Sequence, residues 1–152
     1  MAGLKYIEPV FASIQDAIFI TKTDGKIVFA NHAVELVAGL LPSDFVGERI
    51  QRALKLQSEK EAPPVFFEEA LRGERAVELD PDFSISIESQ RKNIPVAGNA
   101  TPLYDPEGKY AGVVFVLRDI SEEVRRRKEQ YEFLSFISRT VTFVYPYSML
   151  SM

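Results

Sequence analysis

The residues that could support acid–base or metal chemistry are few and lie far apart along this chain. The single histidine, His32, follows Asn31 at the predicted start of a helix, where a solvated imidazole is the usual outcome. Acidic pairs occur at Glu68-Glu69 and within Asp80-Pro81-Asp82, but neither has a histidine partner at ligand spacing. We interpret these pairs as solvated surface charges, and we predict no metal site and no catalytic residue.

Cysteine chemistry is also absent, since none of the 152 residues is a cysteine. This excludes a thiol nucleophile, a thiolate metal site, a haem thioether link and a flavin-cysteinyl adduct. The formal charge of −4 provides no basic field for a nucleic-acid backbone. No stretch approaches the roughly 20 apolar residues of a membrane helix. We therefore expect a cytoplasmic protein with no nucleic-acid partner and no membrane span.

The apolar pattern predicts two hairpins, one near each end of a single globular domain. The first has strands over 17–23 and 26–30, joined through Asp24-Gly25. The second has strands over 91–104 and 110–120, joined through a turn that contains Gly108. Residues 83–87 alternate apolar and serine side chains, which predicts a further strand, although the pattern does not indicate which side faces inward.

Short helices are predicted between the hairpins. Asn31 stands at the N-cap position of the segment HAVELVAGLL, and Pro42 begins another helical turn. The segment PPVFFEEALRGE has proline at its start and Gly73 just past its end, as a short helix does. Residues 57–64 are polar and end in two prolines, so they are predicted to form a loop.

A charged helix is predicted from Ser121 onward, with ion pairs such as Glu122 with Arg126 and Lys128 with Glu132. Its positions at alternating spacings of four and three form a heptad seam that is typical of a short parallel coiled coil. The seam consists of Ile120, Val124, Arg127, Tyr131, Leu134 and Ser138. We expect Arg127 to weaken this coil locally and keep the helix movable.

Three segments resemble the PAS domain, a small sensory module of bacterial and archaeal signalling proteins. They are DAIFITKTDGKIVFAN (16–31), GLLPSDFVGE (39–48) and PLYDPEGKYAGVVFVLRDISE (102–122), the last with the Asp-Ile-Ser-Glu exit of a PAC motif. The resemblance covers about residues 6–131. It implies an α+β PAS fold, in which a five-stranded antiparallel sheet carries short helices on one face.

The resemblance also implies which residues form the site. The implied ligand-binding residues are Phe19, Thr21, Asn31, Val96, Gly98, Ala100, Val113, Phe115 and Leu117. Gly98 and Ala100 are small, so we expect free volume beneath them. Asn31 has two interpretations, a helix cap and a ligand contact, and capping alone explains it. The implied signal-transmission residues are Asp119, Ile120, Val124, Tyr131 and Leu134.

The cofactor is not identified by this resemblance. Flavin-binding light-oxygen-voltage relatives need a reactive cysteine and an inner-strand amide, whereas this chain has no cysteine and carries Val96 at the amide position. Haem-binding relatives use a histidine on the helix that faces the cleft, whereas His32 begins a different helix. A neutral or weakly polar small molecule, or no ligand, remains.

The segment FLSFIS (133–138) resembles the first half of the phospho-acceptor helix of sensor histidine kinases. Ser138 is followed directly by Arg139, so the acceptor histidine is missing, and no nucleotide-binding domain follows. The chain is therefore predicted not to be an enzyme.

The sequence as a whole predicts a PAS sensory module that binds a small ligand or cofactor, forms a homodimer and signals through its C-terminal helix. Its predicted parts are an N-terminal amphipathic helix (1–15), the PAS core (16–120), the signalling helix (121–140) and a tail (141–152) that is strand-like or disordered. Two alternatives remain open. One is the sensor-input fragment of a two-component histidine kinase that lacks its catalytic domains, and the other is a ligand-free dimerisation module. The downstream partner is not identified by the sequence.

Overall fold

The structure is a computed structural model that describes residues 15–58, 65–79, 82–87 and 90–144, with side chains to residue 140. The predicted N-terminal helix, apart from residue 15, lies outside these residues. So do the part of the predicted loop at 59–64, the acidic position Asp80 and the end of the predicted tail from residue 145.

The described residues form one antiparallel sheet of seven strands. The strands are β1 (Ala17–Thr21), β2 (Ile27–Ala30), β3 (Leu56–Gln57), β4 (Val77–Glu78), β5 (Ser84–Ile87), β6 (Lys92–Tyr104) and β7 (Tyr110–Asp119). Their order across the sheet is β2-β1-β7-β6-β5-β3, and β4 pairs with β6. The five predicted strands are present, and the predicted count of five is corrected to seven by two strands of two residues each.

Five helices accompany the sheet in the described part of the chain. They are α1 (Val34–Ala38), α2 (Pro42–Phe45), α3 (Ile50–Ala53), α4 (Phe66–Leu71) and α5 (Ser121–Val144). The first four are short, and they carry buried apolar residues that pack into the core. The fifth is 24 residues long and extends to Val144 rather than ending near residue 140 as predicted.

Both predicted hairpin turns are closed by an aspartate and a glycine. In the β1–β2 turn the Lys26 amide donates to the Asp24 carboxylate at 3.0 Å, and Gly25 has a φ of 92°. In the β6–β7 turn the Lys109 amide donates to the Asp105 carboxylate at 2.8 Å, and Gly108 has a φ of 85°. Because only glycine adopts such positive φ values without strain, these residues fix where each hairpin reverses.

The hydrophobic core lies between one face of the sheet and the short helices. Strand β7 lies between β1 and β6, and its residues Val113, Phe115 and Leu117 are fully buried. On β1, the Phe19 ring meets the Phe45 ring of α2 edge-on, with 5.1 Å between their centroids. This aromatic contact ties the helical layer to the sheet, as edge-to-face ring pairs commonly do.

The predicted role of Asn31 as a helix cap is wrong. The N-cap of α1 is Ala33, and it makes no side-chain capping hydrogen bond. Asn31 instead lies two residues further from the helix, where its amide group bonds to the backbone before and within β1. The chain divides into two compact units, Met1–Ile120 and Ser121–Met152, so the described residues of α5 form a separate unit from the sheet.

Candidate functional site

The inner side of β1, β6 and β7 holds the residues that the family resemblance implies for ligand binding. Antiparallel pairing places Phe19 opposite Phe115, and Gly98 opposite Leu117, on neighbouring strands. The positions on this side that are buried are Phe19, Thr21, Val96, Ala100, Val113, Phe115 and Leu117, while Gly98 is half-buried. The structure thus brings these eight positions together, and their side chains are almost all apolar.

Thr21 is the polar exception on this inner side. Only 2% of Thr21 is exposed, and its hydroxyl oxygen has no hydrogen-bond partner. Burying a hydroxyl without a partner costs about 1–3 kcal/mol. Thr21 therefore marks a place in the interior where one further hydrogen bond could be made.

The expected free volume beneath Gly98 is absent, and this expectation was wrong. A Cβ atom built at Gly98 would lie 2.5 Å from a methyl group of Leu117 and 3.5 Å from one of Leu79. The small residue thus lets neighbouring leucines pack closely rather than leaving a hollow. A strand pattern alone does not reveal which long side chains fill the space beside a glycine.

Three phenylalanines fill the region between β7 and α4. The Phe115 ring contacts the rings of Phe66 and Phe67, with centroid distances of 5.9 and 5.6 Å. The Phe66 and Phe67 rings are also tilted against each other at 5.5 Å. The three rings therefore pack against one another in this part of the core.

Asn31 is 2% exposed, and its amide group is held by the main chain. Its Oδ1 accepts from the Ile18 amide at 2.9 Å, and its Nδ2 donates to the Asp16 carbonyl at 2.8 Å. These bonds join the end of β2 to the start of β1 and give Asn31 a structural role.

Two tyrosines hold the C-terminal end of α4, a contact that the sequence did not indicate. The Tyr110 hydroxyl donates to the Leu71 carbonyl at 2.7 Å, and the Tyr104 hydroxyl donates to the Gly73 carbonyl at 3.0 Å. Burial raises the pKa of Tyr110 above its ordinary value, and the neighbouring Tyr104 adds to the effect. The Leu71 carbonyl belongs to the last turn of α4, where carbonyls lack intrahelical donors, and the Tyr110 hydroxyl satisfies it. Gly73 lies just past the helix, and the Tyr104 hydroxyl satisfies its carbonyl.

The predicted transmission residues Asp119 and Ile120 occupy the end of the sheet. Asp119 is the last residue of β7 and lies opposite Val96 of β6. The Ile120 amide donates to the Pro95 carbonyl at 2.9 Å, and α5 begins at the next residue, Ser121. One hydrogen-bonded residue therefore separates the inner strand β7 from the long helix.

The remaining predicted transmission residues lie on α5, and all are exposed. Val124 is 43%, Tyr131 73% and Leu134 62% exposed. The predicted ion pair between Glu122 and Arg126 is confirmed, with 2.7 Å between a carboxylate oxygen and a guanidinium nitrogen.

The described residues offer no alternative centre for metal chemistry. Among them, no three His, Asp or Glu side chains come together as metal ligands. His32 is exposed, as predicted.

Within the residues that the structure describes, no helix has the length and apolar character needed to cross a bilayer.

Comparison with known proteins gives consistent results. A sequence profile described as a PAS domain matches residues 15–122. The alginate biosynthesis sensor protein KinB of Pseudomonas aeruginosa is 28% identical over 134 residues, which are 88% of this chain and 21% of KinB. The chain therefore spans about a fifth of the length of that curated relative.

Solved structures share the fold at low sequence identity. The PAS domain of nitrogen regulation protein NR(II) from Vibrio parahaemolyticus has a TM-score of 0.57 at 14% identity, covering 74% of this chain and 96% of that one. The PAS domain of BvgS from Bordetella pertussis has a TM-score of 0.56 at 14% identity, covering 88% and 98%. A PAS domain from a two-component sensor histidine kinase has a TM-score of 0.53 at 13% identity, covering 78% and 96%. With its α+β sheet, its short helices and a profile match over most of its length, the chain belongs to the PAS domain family.

Proposed function

We propose that this PAS domain is a cytoplasmic sensory module that responds to a small molecule in its interior, dimerises through α5 and transmits the response along β7 into that helix. The observation that carries the proposal is the one-residue joint at Ile120. Strand β7 lines the interior with Val113, Phe115 and Leu117, and it continues through Ile120 into α5. A shift of β7 must therefore be passed to Ser121 by the covalent chain. The lack of cysteine supports a reducing location.

The interior favours a neutral ligand with an apolar body and one hydrogen-bonding group. The inner positions of β1, β6 and β7 carry no charged side chain, and an ion buried there would lack a counter-charge. Among the residues that the structure describes, the Thr21 hydroxyl is the buried side-chain polar group that lacks a hydrogen-bond partner. The rings of Phe66 and Phe67, which rest on Phe115, are the groups that such a ligand would move. We assign the ligand contacts to the inner residues of these strands and leave Asn31 as a structural residue.

The test of the ligand proposal is native mass spectrometry of the full chain as purified from cells. We expect a bound small molecule with the wild type and its loss with Thr21→Val, while Thr101→Val on the exposed side of β6 retains it. Thr21→Val should also stabilise the ligand-free protein by about 1 kcal/mol, because it removes an unpartnered buried hydroxyl. A wild-type protein that never carries a bound molecule would contradict the ligand proposal and favour the ligand-free dimerisation module.

The dimer proposal rests on the heptad seam of α5. Val124, Tyr131 and Leu134 are large apolar residues at seam positions, and all are exposed in a single chain. A parallel partner helix would cover them, as a and d residues are covered in coiled coils. The double substitution Tyr131→Gln/Leu134→Gln should therefore yield monomers in sedimentation velocity. Dimers that persist would contradict the proposal that the seam forms the dimer interface.

The second candidate is the sensor-input part of a longer two-component kinase. It is favoured by the similarity to KinB, in which this chain corresponds to about a fifth of the length. It can be tested by fusing residues 1–138 to the catalytic part of a sensor kinase. Autophosphorylation that changes with Thr21→Val would support it, and activity independent of the PAS core would contradict it.

A further inference from the structure

Strand β1 is buried on both of its sides. Ala17, Phe19 and Thr21 face the core, so Ile18 and Ile20 between them point to the outer side of the sheet. Ile18 is 3% and Ile20 1% exposed. Among the described residues, the core cluster includes Ala17 and Phe19 but neither isoleucine. The outer side of β1 is therefore buried separately from the core.

The two isoleucines lie at the centre of an apolar strip on the outer side of the sheet. Strand pairing places Phe29 of β2 and Val114 of β7 on either side of Ile20. Val116 of β7 lies beside Ile18, and these three neighbours are half-buried. We define the outer strip as these five residues, Ile18, Ile20, Phe29, Val114 and Val116.

The low exposure of the outer strip points to a group that lies over it. Strand side chains stand roughly perpendicular to the sheet, so the neighbours of Ile20 screen it from the sides and not from above. The exposure of 1% is that of a single chain, so the covering group belongs to the same chain.

The covered region has the width of one helix. On β6, the strand after β7, Thr101 lies beside Val114 and is exposed. Asn99, which lies beside Val116, is also exposed. On the other side, β2 is the edge of the sheet. The three covered strands span about 10 Å at about 4.8 Å between neighbours, and an α-helix with its side chains is about 10–12 Å in diameter.

The short helices of the core are not the cover. The buried residues of α1 to α4 belong to the core cluster on the inner side of the sheet. The described residues up to Ile120 contain no further helix.

The N-terminal segment 1–14 is the occupant that fits the outer strip. It ends two residues before the last residue that precedes β1, and the chain bends at residues 15 and 16. Asn31 fixes this bend, because its Nδ2 donates to the Asp16 carbonyl at 2.8 Å. A segment that turns back at the bend would run along β1. The inner side of β1 is already occupied, since the Phe19 ring contacts the Phe45 ring there.

The sequence of this segment matches the strip in pattern and length. On a helix, four of its apolar residues would lie within about 80° of arc, and they are Leu4, Ile7, Phe11 and Ile14. A helix over residues 4–14 would be about 16 Å long, and the five residues of β1 span about 17 Å. Pro9 would lie on the opposite side, so the bend that a proline introduces would curve the helix around the sheet.

We propose that residues 1–14 form an amphipathic helix that packs on the outer strip of the same chain. This helix contacts β1 and also β7, the strand that continues into α5. The inference does not depend on a ligand in the interior or on the seam of α5.

The test is the reactivity of single cysteines with N-ethylmaleimide in the full chain, which has no cysteine of its own. Ile20→Cys should react slowly, whereas Thr101→Cys, at an exposed position on the same side of the sheet, should react quickly. Adding Ile7→Gln/Phe11→Gln should accelerate the labelling of Ile20→Cys at least about tenfold, because the cover opens more often. Ala12→Gln, which lies outside the apolar stripe, should leave that rate unchanged.

Ala70→Cys distinguishes local uncovering from unfolding. Ala70 is 1% exposed in the core, so this cysteine should stay slow in the presence of Ile7→Gln/Phe11→Gln. If Ile20→Cys or the double substitution disturbs the fold, Val116→Cys with Phe11→Gln alone replaces them. Val116→Cys must then be labelled faster than without Phe11→Gln, while Ala70→Cys stays slow.

Three outcomes overturn the proposal. Rapid labelling of Ile20→Cys in the otherwise unchanged chain would show that the outer strip is open. Labelling that stays slow with Ile7→Gln/Phe11→Gln would assign the cover to another segment, such as the residues from 145 onward. Protection that is lost on dilution would assign the cover to a second copy of the chain.

Discussion

At the scale of single residues, the junction of β1 and β2 depends on the side-chain amide of Asn31. We expect Asn31→Ala to lower the free energy of unfolding by about 2–3 kcal/mol, because the Ile18 amide and the Asp16 carbonyl would both lose their partner in a buried place. Urea unfolding followed by circular dichroism measures this loss. Hydrogen exchange should show a less protected Ile18 amide.

The matched control for that substitution is Asn99→Ala. Asn99 lies on β6 and is exposed, so its replacement should change the stability by less than about 0.5 kcal/mol. Equal effects of the two substitutions would mean that the hydrogen bonds of the Asn31 amide group add nothing to the free energy of unfolding.

Tyr110 should make the stability fall at alkaline pH. Burial raises its pKa above the ordinary value of 10.0, so the neutral phenol is favoured in the folded chain. This stabilising contribution is complete below pH 10 and is lost as the pH rises through the raised value. Tyr110→Phe should cost about 1 kcal/mol at pH 7, since the Leu71 carbonyl loses its donor. Above pH 10 the variant should lose less stability per pH unit than the wild type.

Urea unfolding at pH 7, 9 and 11 measures both effects of Tyr110→Phe. Thr101→Val is the control, because Thr101 is exposed on β6 and its replacement leaves the contact between Tyr110 and α4 unchanged. It should match the wild type at each pH. If the free energy of unfolding falls equally steeply with alkaline pH in the wild type and in Tyr110→Phe, the ionisation of the Tyr110 hydroxyl is not linked to folding.

At the scale of elements, the pairing of β1 with β7 requires a glycine at position 112. A methyl group there would collide with the carbonyl oxygen of Thr21, which belongs to the main chain and cannot move aside alone. Gly112→Ala should therefore lower the free energy of unfolding by about 3 kcal/mol. Thermal and urea unfolding of the purified variant measure this change.

Gly108→Ala separates steric collision from loss of glycine itself. Gly108 has a φ of 85° and nothing near the position of an added Cβ, so only backbone strain of about 1 kcal/mol is expected. If Gly108→Ala is as harmful as Gly112→Ala, close approach of the two strands is not the reason.

The elements that could be predicted are those long enough to show a repeating pattern of apolar and polar residues. Strands β1 and β7 have several alternating or apolar residues and a glycine turn, and both hairpins were correctly predicted. Strands β3 and β4 have two residues each, which is too short for any alternation to appear. The end of α5 was misjudged because residues 141–144 favour strands, although a helix already formed can extend through such residues.

At the scale of the whole molecule, contacts between distant segments could not be predicted from the pattern. The inner residues of β1, β6 and β7 were placed on one side by the resemblance to the PAS family, and the period of two along a strand is consistent with that placement. The rings of Phe66 and Phe67 against Phe115, and the hydroxyls of Tyr104 and Tyr110 on α4, depend on how far apart two layers come to lie. A local sequence pattern does not specify the distance between these two layers. The same holds for Leu117, which fills the space beside Gly98.

Signalling by the whole assembly requires a helix pair that can shift, and Arg127 is the seam residue that should keep the pair weak. In a parallel coil Arg127 would face its own copy, and like charges at the seam oppose association. Arg127→Leu replaces this repulsion with apolar burial, so the dimer should bind at least about tenfold more tightly. Sedimentation velocity of labelled protein on dilution gives the dissociation constants.

Arg125→Leu is the control for Arg127→Leu. Position 125 lies about 140° around the helix from the centre of the seam, so an added leucine there should change dimer affinity less than about threefold. If both leucine substitutions lower the dissociation constant equally, the added leucines promote nonspecific hydrophobic association and the seam is not the interface. An unchanged dissociation constant for Arg127→Leu would remove Arg127 from the interface. The helix pair would then have to be held apart by some other residue if it is to shift in response to the PAS core.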